Sequence, residues 1–129
     1  MPINFSTTAK GQPGVVGGGQ KKFYAQIEYG PELAMDEIVK DVEKFSALSE
    51  PDIRGVIIAL ENTMQNGLAA GRIVRLERLG TFYPAISSKG EIKEADVTSS
   101  SIRETGVNYR PGDRIKKAIK DAGFTKIKK

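Results

Sequence analysis

Apolar and polar positions alternate with two different periods along this chain, and the switches between them outline its elements. Phe23, Ala25 and Ile27 alternate with Tyr24, Gln26 and Glu28, the two-residue period of a short strand. Over residues 34–46 the period lengthens. Met35, Ile38, Val39, Val42 and Phe45 fall on one helical face, and Asp36 and Glu37 sit in the first turn, where the helix dipole favours negative charge. Residues 49–70 carry the longest stripe: Ile53, Val56, Ile57, Leu60, Met64 and Leu68, widened by Ile58 and Ala59 so that two sides of the helix require cover. Ser49 is suited to cap this helix, Pro51 and Asp52 to its first turn, and Gly71 to a left-handed stop. The short link 44–48 predicts a helical hairpin.

Beyond Gly71 the short period returns. Residues 72–76 predict a strand, Glu77–Gly80 a turn, residues 81–86 a second strand and 107–110 a third. Pro84 cannot donate to a ladder, so it marks an edge position or the point where the strand leaves the sheet. Residues 87–106 are polar with scattered Val and Ile, which predicts an extended hairpin or a mobile loop. Pro111-Gly112 turns the chain into a helix over 113–122, with Ile115, Ala118 and Ile119 inside and Gly123 as its stop. Residues 124–129 read as a short basic tail. The Gly- and Pro-rich stretch Lys10–Gly19 predicts a turn or flexible loop. A phosphate-binding loop would need a preceding strand, a following helix and GxGxxG or Gly-Lys-Ser/Thr spacing, whereas these glycines lead into a strand pattern. There is no internal repeat and no heptad run.

The 129 residues fit one domain with an appended segment. The pattern divides them into residues 1–30, a Gly-rich loop and strand, and residues 31–129. The absence of Cys and His removes disulfides, thiolate nucleophiles, imidazole bases and the usual zinc ligands. Two carboxylate pairs, Glu91 with Glu94 and Asp36 with Glu37, lie beside no apolar pocket and no nucleophile, so they read as solvated faces. The expectation is a non-enzyme without metal or cofactor. No apolar run approaches the roughly 18 residues of a membrane span, and MPINFSTTAK lacks the pattern of a signal peptide. The expected location is the cytoplasm.

Charge changes the picture through its distribution. The net charge is +4, but residues 1–71 hold 6 Lys/Arg against 9 Asp/Glu, a net of −3, and residues 72–129 hold 14 against 7, a net of +7. Such asymmetry suggests a polyanionic partner.

Several motifs then occur in order. Asp52-Ile53-Arg54 runs through to Leu60, followed by Leu68-x-x-Gly71, Ile73-Val74-Arg75-Leu76 and Leu79-Gly80-Thr81-Phe82. Later come Val107-Asn108-Tyr109-Arg110-Pro111-Gly112 and Ile115-Lys116. Over about residues 33–120 the chain resembles the HU/IHF family of bacterial histone-like DNA-binding proteins, in a subgroup with an added N-terminal strand. The resemblance implies an α+β fold and an intertwined dimer. A helical hairpin would form its base, a three-stranded antiparallel sheet its saddle, with a β-arm over about 84–107 and a C-terminal helix. It implies a nucleoid-associated protein that binds and organises double-stranded DNA through backbone contacts without sequence specificity. Its partner chain would be a second copy or a related chain. The candidate DNA-binding residues are Arg72 and Arg75 on the first strand of the saddle, Lys89, Lys93 and Arg103 on the arm, Arg110 on the last strand, and Arg114, Lys116, Lys117 and Lys120 on the final helix.

The arm departs from the family pattern. HU arms carry an Arg-Asn-Pro tip whose Pro wedges between base steps, but here no Pro lies between Pro84 and Pro111 and no Arg-Asn pair occurs. Glu91, Glu94, Asp96 and Glu104 outnumber the three arm cations, so the body of the molecule is the expected DNA contact. Ile92 and Val97 read as hairpin structure more than as wedges. These departures keep a second reading open, an HU-fold structural or protein-interaction module with weak or no DNA binding. A third reading is RNA or single-strand binding by stacking on Tyr83 and Tyr109, although both residues are expected to pack inside.

Overall fold

The computed structural model describes residues 2–11, 14 and 16–128 and divides the chain into two compact units, residues 35–116 and residues 1–34 with 117–129. In the larger unit, helix α1 (Met35–Lys44) and helix α2 (Glu50–Ala69) form the expected hairpin. The Ser49 side chain accepts from the Asp52 N–H, and Pro51 lies in the first turn where no intrahelical donor is needed. At the other end Gly71 takes φ 78. Its N–H donates to the Leu68 carbonyl and the Arg72 N–H donates to the Gly67 carbonyl, a paired closure that satisfies the last carbonyls of α2. Val39 and Ile53 are buried where the helices meet. Arg54 on α2 bridges to Asp36 at 2.6 Å and to Glu50 at 3.4 Å, on the surface.

Three antiparallel strands complete this unit: β3 (Val74–Arg75), β4 (Gly80–Ser88) and β5 (Ile102–Pro111), in that spatial order. Strand β3 is shorter than the predicted 72–76, while β4 and β5 run beyond the predicted 81–86 and 107–110. Of the polar stretch 87–106, residues 87–88 and 102–106 belong to the paired strands, and the connection between them contains two single 3-10 turns, Glu94–Asp96 and Ser99–Ser101. Cross-strand pairing explains this: once β4 is aligned, polar residues on a two-stranded arm pair without needing a core. Pro84 lies opposite Val107. Strand β3 pairs only as far as Phe82, so Pro84 marks the point where the three-stranded sheet becomes a two-stranded arm.

Helix α3 (Asp113–Ala122) crosses the boundary between the units, and Gly123 (φ 74) follows it. The smaller unit is a second sheet of strands β1 (Ile3–Lys10), β2 (Lys22–Ile27) and β6 (Phe124–Lys126), with β1 central, β2 antiparallel to it and β6 parallel. Two elements here differ from expectation. Residues Ile3–Lys10 form a strand, and the basic tail supplies a strand that pairs Phe124 with Ile3, so the tail groups with this sheet and not with 35–116. Both strands hold few apolar residues, and their pairing partners are distant in sequence, so no local pattern announces them. The turn expected over Lys10–Gly19 lies partly outside the described residues, at 12, 13 and 15. Among the described residues, no helix is long and apolar enough to cross a membrane.

Two glycines fix the base of β4 and β5. A Cβ on Gly112 would collide with the Arg78 carbonyl oxygen, and one on Gly80 (φ 135) would lie 2.6 Å from the Arg110 carbonyl oxygen. Either Gly→Ala change is expected to destabilise the fold by about 1–3 kcal/mol. Gly106→Ala, with nothing within 4 Å, should change it by less than about 0.5 kcal/mol. Urea unfolding of the three variants checks this, and an unchanged midpoint for Gly112→Ala would refute the close approach.

Candidate nucleic-acid interface

The site follows from the register of β3, β4 and β5. Val74 faces Phe82 and Phe82 faces Tyr109, while Arg75 faces Thr81 and Thr81 faces Arg110. Side chains alternate between the faces of a strand, so Val74, Phe82 and Tyr109 share one face and Arg75, Thr81, Arg110, Tyr83 and Asn108 share the other. The first face is turned toward α2: Val74 reaches within 3.3 Å of the position a Gly67 Cβ would take. On it, the Phe82 and Tyr109 rings meet with centroids 5.0 Å apart, and the Tyr109 hydroxyl donates to the Leu79 carbonyl at 2.7 Å.

The opposite face is turned away from α2. Arg75 and Arg110 are exposed on either side of buried Thr81. They are two strand spacings apart, about 10 Å. The Arg110 guanidinium lies 5.5 Å from the centre of the Tyr83 ring, and Asn108 stands opposite Tyr83. Tyr83, Asn108, Tyr109 and Arg110 line one shallow concavity, and Ala85, Ser87, Glu104 and Gly106 help to line the next one along the arm. Arg72 lines a separate shallow pocket with Arg75, Thr63 and Gly67.

The other sequence-predicted cations are arranged differently. On the arm, Lys89 pairs with Glu91 at 3.5 Å, and the Arg103 guanidinium donates to the Ser88 carbonyl at 3.3 Å beside a register shift in the ladder. Ser101, nearly fully buried, donates to Glu91, and the Lys89 N–H donates to the Ser101 carbonyl, so these arm cations are engaged in holding its tip together. Lys93 is exposed just before the Glu94–Asp96 turn. On α3, Lys116, Lys117 and Lys120 lie on the side away from Ile115, Ala118 and Ile119, and Arg114 lies at its flank, with Lys117 paired to Asp121 one turn on. The structure thus brings Arg72, Arg75 and Arg110 to one end of the saddle sheet, sets Lys89 and Arg103 on the arm, and aligns four cations along α3. Both tyrosines are expected to pack inside, and neither is fully buried: Tyr109 lies on the face turned toward α2 but is 46% exposed, and Tyr83 lies on the other face, half-buried, with the Arg110 guanidinium over its ring. Among the described residues, no group of three or more His, Cys, Asp or Glu side chains is arranged to hold a metal ion.

The helical hairpin, three-stranded saddle and arm are those of an HU domain, and the chain belongs to the HU-HIG family, "HU domain fused to wHTH, Ig, or Glycine-rich motif", which it matches over residues 1–126. This is a family defined by an HU domain, not by a catalytic activity. No curated protein matches the chain. Among solved structures, the fold is similar to that of a "Putative bacterial DNA binding protein" from Bacteroides vulgatus ATCC 8482, at 17% identity and a TM-score of 0.62. The match covers 98% of this chain and 48% of the other, so the chain spans about half the length of that relative.

The hydrogen bond from the Tyr109 hydroxyl to the Leu79 carbonyl can be checked directly. Tyr109→Phe is expected to lower unfolding stability by about 0.5–1.5 kcal/mol, the usual net worth of one hydrogen bond. Urea titration measures the loss, and a variant as stable as the parent would show that the Leu79 contact contributes nothing.

Proposed function

We propose that this protein binds duplex DNA through the phosphate backbone, with little base readout, as a homodimer that organises the DNA it holds. The observation that carries this reading is the row Arg75–Thr81–Arg110 across the face of an HU-domain sheet that is turned away from α2. Two guanidiniums flanking a hydroxyl offer phosphate-directed donors at fixed spacing, and no carboxylate shares their row. Arg72 beside Arg75 extends the cationic surface, and α3 carries further exposed cations in Arg114, Lys116, Lys117 and Lys120. The arm has a secondary part, because its four acids outnumber its three cations and Lys89 is paired to Glu91. That same arm supports the second reading, an HU-fold protein-interaction module with weak DNA binding.

A dimer is supported by what the larger unit leaves uncovered. On α2, Val56 (56% exposed) and Leu60 (40% exposed) lie one turn apart on the apolar stripe, Ile58 (56% exposed) lies on the other side of the helix, and Phe45 just after α1 is 89% exposed. Apolar residues at helical spacing on this scale mark an interface, and a two-fold axis would set the same stripe against itself. We expect the protein to sediment at twice the chain mass and the double variant Val56→Arg, Ile58→Arg to sediment at that of one chain. A parent that sediments as a single chain at micromolar concentration would reject the dimer.

DNA binding is tested by titrating salt against affinity for duplexes of unrelated sequence. Affinity should fall steeply with salt and change little with sequence. Replacing both Arg75 and Arg110 by Glu should reduce the log–log slope by about 1.8, at roughly 0.9 for each phosphate no longer neutralised. Charge reversal at Arg114, Lys116 and Lys117 tests α3 separately, and unchanged binding there would confine the contact to the saddle. A flat salt plot for the parent would sink the proposal, and a duplex unshifted at low salt together with capture of a protein partner would establish the second reading.

A further inference from the structure

The sheet of the smaller unit has one apolar face, and much of it is exposed. Phe5 pairs with Ile27 and Lys126, Ala9 with Phe23, and Ile3 with Phe124. Paired residues share a face, so one phenylalanine from each of β1, β2 and β6 falls on the same side. The other side is polar: Ser6 is buried and donates to Glu28, and the Lys10 ammonium lies 6.0 Å from the centre of the Tyr24 ring. On the apolar side Phe23 is 73% and Phe124 56% exposed. Phe5, Ala25, Ile27 and Phe124 line a concavity of about 340 Å3.

The chemistry of this face selects its occupant. The four lining side chains hold no donor or acceptor, and β1 is paired along both edges. The polar edge of a nucleobase would find no partner there, whereas an aromatic or branched aliphatic side chain needs none. The charge around the concavity has one sign. Lys126 shares the face with Phe5, and Lys21 and Lys128 are exposed beside the ends of β2 and β6. No Asp or Glu occupies the face, and among the described residues none of these three lysines is in an ion pair. Residues 1–34 with 117–129 hold 8 Lys/Arg against 3 Asp/Glu, a net of +5. A second copy related by a two-fold axis would bring the same cations together, while a segment bearing carboxylates would be drawn to them. The area points the same way. Three phenylalanines at about 150–250 Å2 each, partly covered by their own sheet, fall short of the roughly 800 Å2 that each partner of a stable folded complex buries. A short segment fits that area.

We infer that this face docks an acidic segment of another protein. One aromatic or branched aliphatic side chain of the segment sits among Phe5, Ala25, Ile27 and Phe124, and its carboxylates meet Lys21, Lys126 and Lys128. Docking here uses no residue of 35–116 and is independent of the proposed DNA binding.

Selection of a phage-displayed library of random peptides, each about a dozen residues long, on the full-length chain tests this. Enriched sequences should share an aromatic, Leu or Ile residue flanked by Asp and Glu. Fluorescence anisotropy with a labelled enriched peptide then locates the contact. Ala25→Phe, which fills the concavity with a strand-forming side chain, should weaken binding about tenfold, as should Lys126→Glu with Lys128→Glu. Unchanged circular dichroism and urea midpoints show that the variants fold, and duplex affinity of Ala25→Phe should equal that of the parent. No enrichment, or enriched sequences without an acidic excess, overturns the docking surface. So does a peptide that binds both variants as tightly as the parent. If Ala25→Phe sediments at half the parental mass, the face holds a second copy. If instead it loses affinity for oligothymidine, the face holds a nucleic-acid strand. Either result rejects the acidic segment.

Discussion

The alignment of β4 with β5 is held at its base by contacts that admit no side chain. The backbone of the turn at Arg78 lies against Gly112, and Gly80 lies against the backbone of Arg110 and the ring of Tyr109. Alternation has a period of two, so a slip of one residue would move every side chain of the strand to the other face. With this register, Tyr109 reaches the Leu79 carbonyl and stacks on Phe82, while Arg110 and Asn108 face outward beside Thr81 and Tyr83. Inward packing and outward chemistry are therefore set by the same two glycines.

Charge follows from this arrangement. Arg75 and Arg110 come from strands that never pair with each other, and β4 between them holds them on one surface. The cations of the arm have local obligations instead. Lys89 and Arg103 contact Glu91 and the Ser88 carbonyl, and with the hydrogen bonds of Ser101 they hold together a tip without an apolar core. Exposed pairs of this kind add little stability individually, but they leave the arm with less free positive charge than its lysines and arginines suggest. The proposed emphasis on the saddle over the arm rests on that difference.

The helical hairpin has a complementary deficit. Val39 and Ile53 are buried, yet much of the apolar stripe of α2 faces solvent in a single chain. A domain of this size buries too small a fraction of its surface to leave such a stripe open without cost, which is the physical basis for the proposed dimer. The smaller unit is built differently, closing a three-stranded sheet from segments at the two ends of the chain.

The sequence by itself determined α1, α2 and α3, because helix signals are local: a 3–4 period, a Ser cap, Pro in the first turn, Gly at the stop. It also determined the saddle strands, the departure of the strand at Pro84, the HU family, and the excess of positive charge in the second half. Only the tertiary structure decided that Ile3–Lys10 and Phe124–Lys126 are strands, since a strand's partner can lie anywhere in the chain. Only it separated Tyr83 from Tyr109, and Arg75 and Arg110 from the engaged cations Lys89 and Arg103. Residue type and spacing carry a side chain's chemistry, but which face it occupies and what it touches depend on strand register, and register is fixed by contacts between residues about thirty positions apart, such as Gly80 with Arg110 and Leu79 with Tyr109.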